Sequence, residues 1–275
     1  MTGSYSLHVP DVARRVLASQ ARERQQKDEF CGPFWVVAAV AALTGQVVTQ
    51  DDAAVAAGTL LTAGGGRLED LPPGAASRAD YLREVPTTQD TRQAGTSPQG
   101  IVRAISELSG GDVTAVPLCG HWTPSMLNAM AGLVLTAGDA VAILNVATQY
   151  LWHSHPALPD VLGYLDGEDV RPAASEWQVG HYVAIAGSLT GSQRQLLMCA
   201  DTYLSLGTQG VHLQPPACLA ALNRDGAETS GGVIVAVQTD RAQDPGLGRR
   251  GGPVGGLLGQ RCAECGAAGR CDGAG

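Results

Sequence analysis

The sequence predicts an α+β fold. Apolar residues recur at helical spacing through most of the first half of the chain, and short apolar runs typical of strands follow in the second half. Helices that precede the strands, instead of alternating with them, favour an α+β arrangement over an α/β one. A chain of 275 residues can bury a sizeable core, as one large domain or two small ones.

One long apolar segment predicts a central helix. It begins at Cys31, continues through an uninterrupted apolar run at residues 36–43 and meets a stop signal at Gly45. Pro33 suits the first turn, where its missing N–H costs nothing. Because no face of the segment is polar, we expect protein to surround the helix on every side.

Four further helices are predicted from apolar spacing and capping residues. In chain order they are an amphipathic helix from Pro10 towards Gln26, an alanine-rich helix at residues 51–61 capped by Thr49 or Asp51, a helix opened by Ser97-Pro98 that ends at Gly110-Gly111, and a helix at residues 124–137 with Met126, Leu127, Met130 and Leu133 inward.

Five apolar runs predict strands, at residues 113–118, 139–146, 181–187, 195–200 and 232–238. A short helix is expected at residues 218–222. Residues 67–93 and 150–178 show weak patterns and several prolines, so both are expected to be irregular.

Composition excludes several classes of function. The net charge of −8 argues against a nucleic-acid groove, which needs a basic surface. No apolar run reaches the length of a membrane span, and no signal peptide is visible. Seven cysteines without an export signal favour reduced thiols. We therefore expect a cytoplasmic protein with no membrane or nucleic-acid partner and an open oligomeric state.

Residues 241–275 differ in composition from residues 1–240. They are rich in glycine and arginine and show no periodicity, which predicts a flexible tail after one catalytic domain. Cys262, Cys265 and Cys271 make a weak zinc candidate, since a fourth ligand is missing. Two Gly-Gly pairs, at residues 251–252 and 255–256, leave self-processing as an alternative to a tail without a role.

Three residues can form a thiol active site. Cys31 begins the central helix, where the positive end of the helix dipole favours thiolate, although a buried structural cysteine fits the same pattern. His181 begins one predicted strand and Asp201 ends the next. If these strands form a hairpin, the imidazole and the carboxylate meet at one edge of the sheet, as a Cys–His–Asp site requires.

The order Gln, then Cys-Gly-Pro six residues later, then a late strand His and an Asp resembles the papain-like cysteine peptidases. Within them it is most similar to the C39-like group, whose members include the bacteriocin-leader peptidases. The similarity spans about residues 20–238 in pattern, and its motifs are short. It implies a papain-like fold, with N-terminal helices, including the central Cys helix, packed on an antiparallel sheet.

The resemblance also implies catalytic roles. Cys31 is the expected nucleophile, His181 the general base and acid, Asp201 the residue that holds the imidazole, and Gln25 the oxyanion donor. Gln26 is a rival for the last role. The sequence departs from the family at Thr202, where proline is common, and at the bulky pair Phe34-Trp35, which concerns the substrate cleft more than the triad.

The resulting hypothesis is a soluble thiol hydrolase that cleaves a peptide substrate through an acyl-enzyme, without a cofactor. Two alternatives stay open, an acyl- or peptidyl-transferase on the same scaffold and a peptide-binding relative that has lost turnover. A metal at His153 and His155 is a weaker hypothesis, because a third ligand is needed and Asp160 is near only in sequence. No metal is therefore expected.

Overall fold

A computed structural model describes residues 4–65, 70–118, 122–219 and 232–242. The helices are α1 (Asp11–Glu23), α2 (Cys31–Thr44), α3 (Gln50–Ala57), α4 (Pro98–Leu108), α5 (Pro124–Ala137), α6 (Leu158–Leu165), α7 (Pro216–Leu219) and α8 (Thr239–Ala242). The strands are β1 (Ser6–His8), β2 (Leu61–Thr62), β3 (Thr87–Thr88), β4 (Val113–Leu118), β5 (Ala140–Ala147), β6 (Gly180–Thr190), β7 (Gln195–Ala200), β8 (Val211–Gln214) and β9 (Val233–Gln238).

The chain is α+β, as its sequence predicts. Within the described residues, one sheet of seven strands has the order β4-β9-β5-β6-β7-β8, and β1 pairs with the far end of β6. Every neighbouring pair in this sheet is antiparallel. The two-residue strands β2 and β3 form a separate parallel pair.

Helix α2 lies at the centre of the molecule. Phe34 and Trp35 are fully buried, and the helix ends at Gly45, whose φ of 79° is left-handed. The helix shares one hydrophobic cluster with α1, α3, α4 and one face of the sheet. The prediction of a central helix covered on every side is therefore confirmed, and Phe34-Trp35 belong to the core.

The sheet separates two hydrophobic clusters. Because successive strand residues point to opposite faces, Ile143 and Ala184 pack with α1–α4, whereas Leu144 and Val183 pack with α5 on the other side. Their side chains supply the apolar burial that stabilises the two helical layers on the sheet.

The β6–β7 hairpin brings one strand start and one strand end to the same edge. Ala184 pairs with Ala200, so His181 near the start of β6 and Asp201 just after β7 are neighbours. Helix α2 begins at this edge too, because Trp35 Nε1 donates a 2.7 Å hydrogen bond to the Tyr182 carbonyl. The fold therefore positions Cys31 beside the hairpin.

Some elements differ from the sequence expectation. Strands β1 and β8 were not expected, since β1 is short and exposed and β8 mixes apolar residues with His212 and Gln214. Helix α6 lies in a segment that was expected to be irregular. Met126 was expected to face inward, which is wrong: it is 47% exposed, because the buried face of α5 begins at Leu127.

The predicted boundary after residue 240 falls within α8, and residues 243–275 lie outside the described residues. The zinc candidates Cys262, Cys265 and Cys271, and both Gly-Gly pairs, lie there as well. In the part of the chain that the structure describes, none of the helices is both long and apolar enough to span a membrane.

Candidate active site

Cys31 is the first residue of α2, and its side chain is partly buried. The residue before it, Phe30, offers no side-chain cap to the first-turn N–H groups. These groups carry the positive end of the helix dipole, so Cys31 lies where the dipole is positive. The sequence expectation that Cys31 opens the helix is confirmed.

His181 is 2% exposed, and aromatic rings enclose its imidazole. The Trp177 ring lies 4.7 Å from it in a T-shaped contact, and the Tyr203 ring lies 6.0 Å away. Trp177 is itself held by a 2.8 Å hydrogen bond from Nε1 to the Asp70 carbonyl. The rings restrict the orientation of the imidazole.

The expected bond between His181 and Asp201 is present, at 3.0 Å from Nε2 to Oδ1. Nδ1 is thereby the ring nitrogen available to Cys31. Burial lowers the pKa of His181, but the charge and hydrogen bond of Asp201 and the hydrogen bond and charge of Cys31 together raise it above its ordinary value. The arrangement therefore favours the protonated form of His181.

Asp201 is 1% exposed and accepts several hydrogen bonds. The Tyr203 N–H donates to Oδ1 over 3.2 Å, and His212 Nε2 lies 3.3 Å from Oδ2. Burial raises the pKa of Asp201, yet the charge of His181 and the bonds from His181 and His212 outweigh it and hold the pKa below its usual range. Asp201 therefore stays ionised at the pH where His181 is charged.

The expectation that Gln25 points its amide into the cleft is wrong. Its Nε2 donates a 2.5 Å hydrogen bond to the Ala76 carbonyl, on the exposed side of the loop. Gln26, the rival, is 3% exposed and lines the cleft with Cys31 and His181. Arg24 has a φ of 65°, which turns the backbone after α1, and that turn decides which of two adjacent glutamines faces inward.

Thr202 fixes the orientation of the Gln26 amide. Its hydroxyl donates a 2.5 Å hydrogen bond to Gln26 Oε1, and its carbonyl accepts from the Gln26 N–H over 3.1 Å. Because Oε1 accepts this bond, the donors that the Gln26 side chain can offer are the two N–H groups of Nε2. Proline, common in the resembled family at this position, lacks this hydroxyl.

A buried ion pair anchors the loop that precedes Cys31. Lys27 Nζ lies 2.5 Å from Asp51 Oδ2, and both side chains are almost fully buried. The other Asp51 oxygen accepts from the N–H groups of Leu82 and Arg83. This pair ties the loop to α3 and to the irregular segment on the other side of the cleft.

The cleft has a volume of about 380 Å³. Its walls come from the loop before α2, from residues 70–95 and from the segment before β6, and the carboxyl residues Asp28, Glu29 and Asp70 are among them. No lysine or arginine lines it within the described residues. Acidic side chains therefore outnumber lysine and arginine in the described lining of the cleft.

Among the described residues, the other candidate side chains do not form a site. His155 N–H donates to His153 Nδ1 over 3.1 Å, and in the described ranges no three His, Cys, Asp or Glu side chains could hold a metal. Cys199 is buried and Cys218 partly so, and burial raises the pKa of both thiols, that of Cys218 to about 11. Neither has the environment of a nucleophile.

Sequence reasoning missed His212 and Gln214. Both lie on β8 and point towards Asp201 and the Trp152 backbone. The available signal was their spacing of two, which places both polar side chains on one face of a strand. No apolar run marked that strand, so the signal was not recognised.

The chain matches, over residues 10–246, a family of unknown function named DUF6885. It belongs to this family. The matched range contains Cys31, His181, Asp201, Gln26 and His212. None of the curated proteins compared with the chain matches it.

Proposed function

We propose that the protein is a cysteine peptidase-like thiol hydrolase that cleaves a peptide substrate through an acyl-enzyme. One observation carries the proposal: Cys31 begins a buried helix beside His181, whose other ring nitrogen is bonded to buried Asp201. Covalent acyl transfer needs a nucleophile in contact with a base, and a carboxylate that orients the base.

In the acylation step, the Cys31 thiolate attacks the carbonyl carbon of the scissile amide. The C–N bond breaks when the His181 imidazolium gives its proton to the leaving amine. In the second step a water molecule gives a proton to neutral His181 and attacks the thioester. The acid product leaves, and the thiolate–imidazolium pair forms again.

Two N–H donors are available to the tetrahedral intermediate. One is Gln26 Nε2, on an amide that lines the cleft and whose Oε1 is held by Thr202. The other is the Cys31 backbone N–H, which donates to none of the described backbone carbonyls. Donors that are fixed before the reaction stabilise the developing oxyanion without reorganisation, which is why such groups contribute strongly to rate.

The shape of the cleft supports an extended peptide as substrate. Gly95 and Gly180 lie on its walls and present backbone without side chains, which leaves room for a chain to approach the thiol. Asp28 and Glu29 make segments with acidic residues unfavourable next to the scissile bond.

The test is incubation of the protein with a mixed peptide library in water enriched in ¹⁸O, followed by mass spectrometry, with Cys31→Ala as control. A hydrolase yields new carboxyl termini that carry ¹⁸O, and only with Cys31 present. Products joined to an added amine, without ¹⁸O, indicate the transferase. No cleavage, together with no labelling of Cys31 by a peptide vinyl sulfone, rejects both and leaves the binding relative.

A further inference from the structure

A second imidazole shares the carboxylate that holds His181. His212 lies on β8, 4% exposed, with Nε2 3.3 Å from Asp201 Oδ2, while His181 occupies Oδ1 of the same group. Each oxygen of the Asp201 carboxylate therefore has a histidine as a hydrogen-bond partner. Nothing in the acyl-transfer steps requires a second histidine, so its presence calls for a separate explanation.

Gln214 determines which nitrogen of His212 carries the proton. The Trp152 N–H, which can only donate, lies 2.8 Å from Gln214 Oε1, and the Trp152 carbonyl, which can only accept, lies 3.0 Å from Gln214 Nε2. These contacts fix the amide without ambiguity. The second N–H of Nε2 then donates to His212 Nδ1, over 3.0 Å.

The tautomer follows from this geometry. Because Nδ1 of His212 accepts a hydrogen bond, it has no proton, and the ring proton is on Nε2, facing Asp201. His212 is thus a neutral donor to Oδ2. Protonation of Nδ1 would place an N–H against the amide N–H of Gln214 in a buried site, which is unfavourable.

We propose that His212, held in its neutral Nε2–H form by Gln214, is a positioning residue that keeps Asp201 aligned with His181. The proposal rests on the proposed function and adds a residue that acts on Cys31 through Asp201 and His181. By occupying Oδ2, His212 stops the carboxylate from turning away from His181. By staying neutral, it leaves His181 as the one cation that Asp201 stabilises at this edge of the sheet.

The titratable groups that face Asp201 are His181, His212, Cys199 and Tyr203, and Cys31 lies beyond His181. Burial raises the pKa of Cys199 and that of Tyr203, so both are neutral at pH 5–8. A pH effect of a change at position 212 over that range therefore reports on the pair formed by His181 and Cys31.

The tautomer is tested directly by NMR of the full chain with ¹⁵N-labelled histidine, with His212 assigned by its loss in His212→Phe. We expect one protonated and one bare nitrogen in His212 across pH 5–8, with the proton on Nε2. A proton on Nδ1, or on both nitrogens at pH 6, overturns the proposal. This measurement needs no turnover, so it stands apart from a failure of the proposed function.

The positioning role is tested by the rate of Cys31 alkylation with iodoacetamide at pH 5 and pH 8. In His212→Phe, which keeps a ring and loses the donor, we expect the pH 5 rate to fall by about tenfold relative to pH 8, because a displaced Asp201 stabilises the His181 imidazolium less. His212→Gln, which keeps a donor, should restore most of the pH 5 alkylation rate.

The control is His153→Phe, which changes an exposed histidine away from the cleft and should leave the pH ratio unchanged. An unchanged pH ratio in His212→Phe, with only a lower melting temperature, shows a merely structural role and overturns the proposal. If His212→Phe does not fold, His212→Leu takes its place as the variant without a donor. A tenfold loss of the pH 5 rate in it supports the proposal, and an unchanged ratio overturns it.

Discussion

The hydroxyl of Thr202 donates a 2.5 Å hydrogen bond to Gln26 Oε1, across 176 residues of chain. Thr202 follows directly after the carboxylate that holds His181, so one short segment orients both the imidazole and the candidate oxyanion donor. Thr202→Val, which keeps the shape and removes the hydroxyl, frees the Gln26 amide to rotate.

We expect Thr202→Val to slow acylation of Cys31 by p-nitrophenyl acetate by about tenfold, because the hydrogen bond that orients the Gln26 amide is lost. Alkylation by iodoacetamide, which forms no oxyanion, should keep its rate. Thr202→Ser retains the hydroxyl and serves as the matched control. If both reactions slow equally in Thr202→Val, the threonine supports the thiol rather than the amide.

The two adjacent glutamines are a matched pair of variants. Gln26→Ala should slow the acylation of Cys31 by p-nitrophenyl acetate by about one to two orders of magnitude, since one oxyanion donor is lost. Gln25→Ala removes only an exposed bond to Ala76 and should leave the rate near that of wild type. The reverse result would return the role to Gln25.

Cys31 should react with iodoacetamide at mildly acidic pH. At pH 5.5 we expect it to exceed Cys218 and Cys199 by about two orders of magnitude, because ordinary thiols are almost fully protonated there. Peptide mapping by mass spectrometry measures each site in one sample. His181→Ala should remove the advantage, and equal rates in the two proteins would show that the pair does not exist.

The pair formed by His181 and Asp201 should stabilise the fold within a limited pH window. The pKa of Asp201 is lowered, so its contribution is lost as the pH falls below about 3.9, and the pKa of His181 is raised, so its contribution declines above about 6.5. The difference in free energy of unfolding between wild type and His181→Gln should peak between these values.

Urea unfolding at a series of pH values measures this difference. A difference that grows steadily from pH 6 to pH 9 contradicts an imidazolium at position 181.

The ion pair of Lys27 and Asp51 should contribute to the stability of the fold, because both of its side chains are buried. Lys27→Met leaves a buried carboxylate without its cation, and we expect a loss of about 3–5 kcal/mol. The double variant with Asp51→Asn has no unpaired charge and keeps an acceptor for the Leu82 N–H. It should therefore be more stable than Lys27→Met alone. Additive losses in a double-mutant cycle would show that the two side chains are not coupled.

Elements with their own periodicity could be predicted from sequence. An unbroken apolar run predicts helix α2. Apolar runs also predict β6, which has His181 near its start, and β7, which Asp201 follows. The hairpin then brings those residues together with no further information. Local pattern was therefore sufficient to predict that Cys31 begins a helix and that His181 meets Asp201.

The rest of the site depends on contacts between distant side chains. Gln26 faces the cleft because the chain turns at Arg24 and because Thr202 accepts its N–H, and neither feature leaves a mark in the local sequence. His212 was missed for a related reason: β8 is short, and its polar face is buried only because Asp201 and Trp152 supply partners.

Lys27 is the single lysine of the chain, and it is 3% exposed. Amine-reactive esters should therefore modify the folded protein at its α-amino group and spare the ε-amine. Any labelling of Lys27 reports a transient opening of the segment between α1 and Cys31. The rate of Lys27 modification therefore measures how often this segment opens. The rate at which that one amine becomes reactive, with and without a peptide in the cleft, measures how tightly an occupant closes the site.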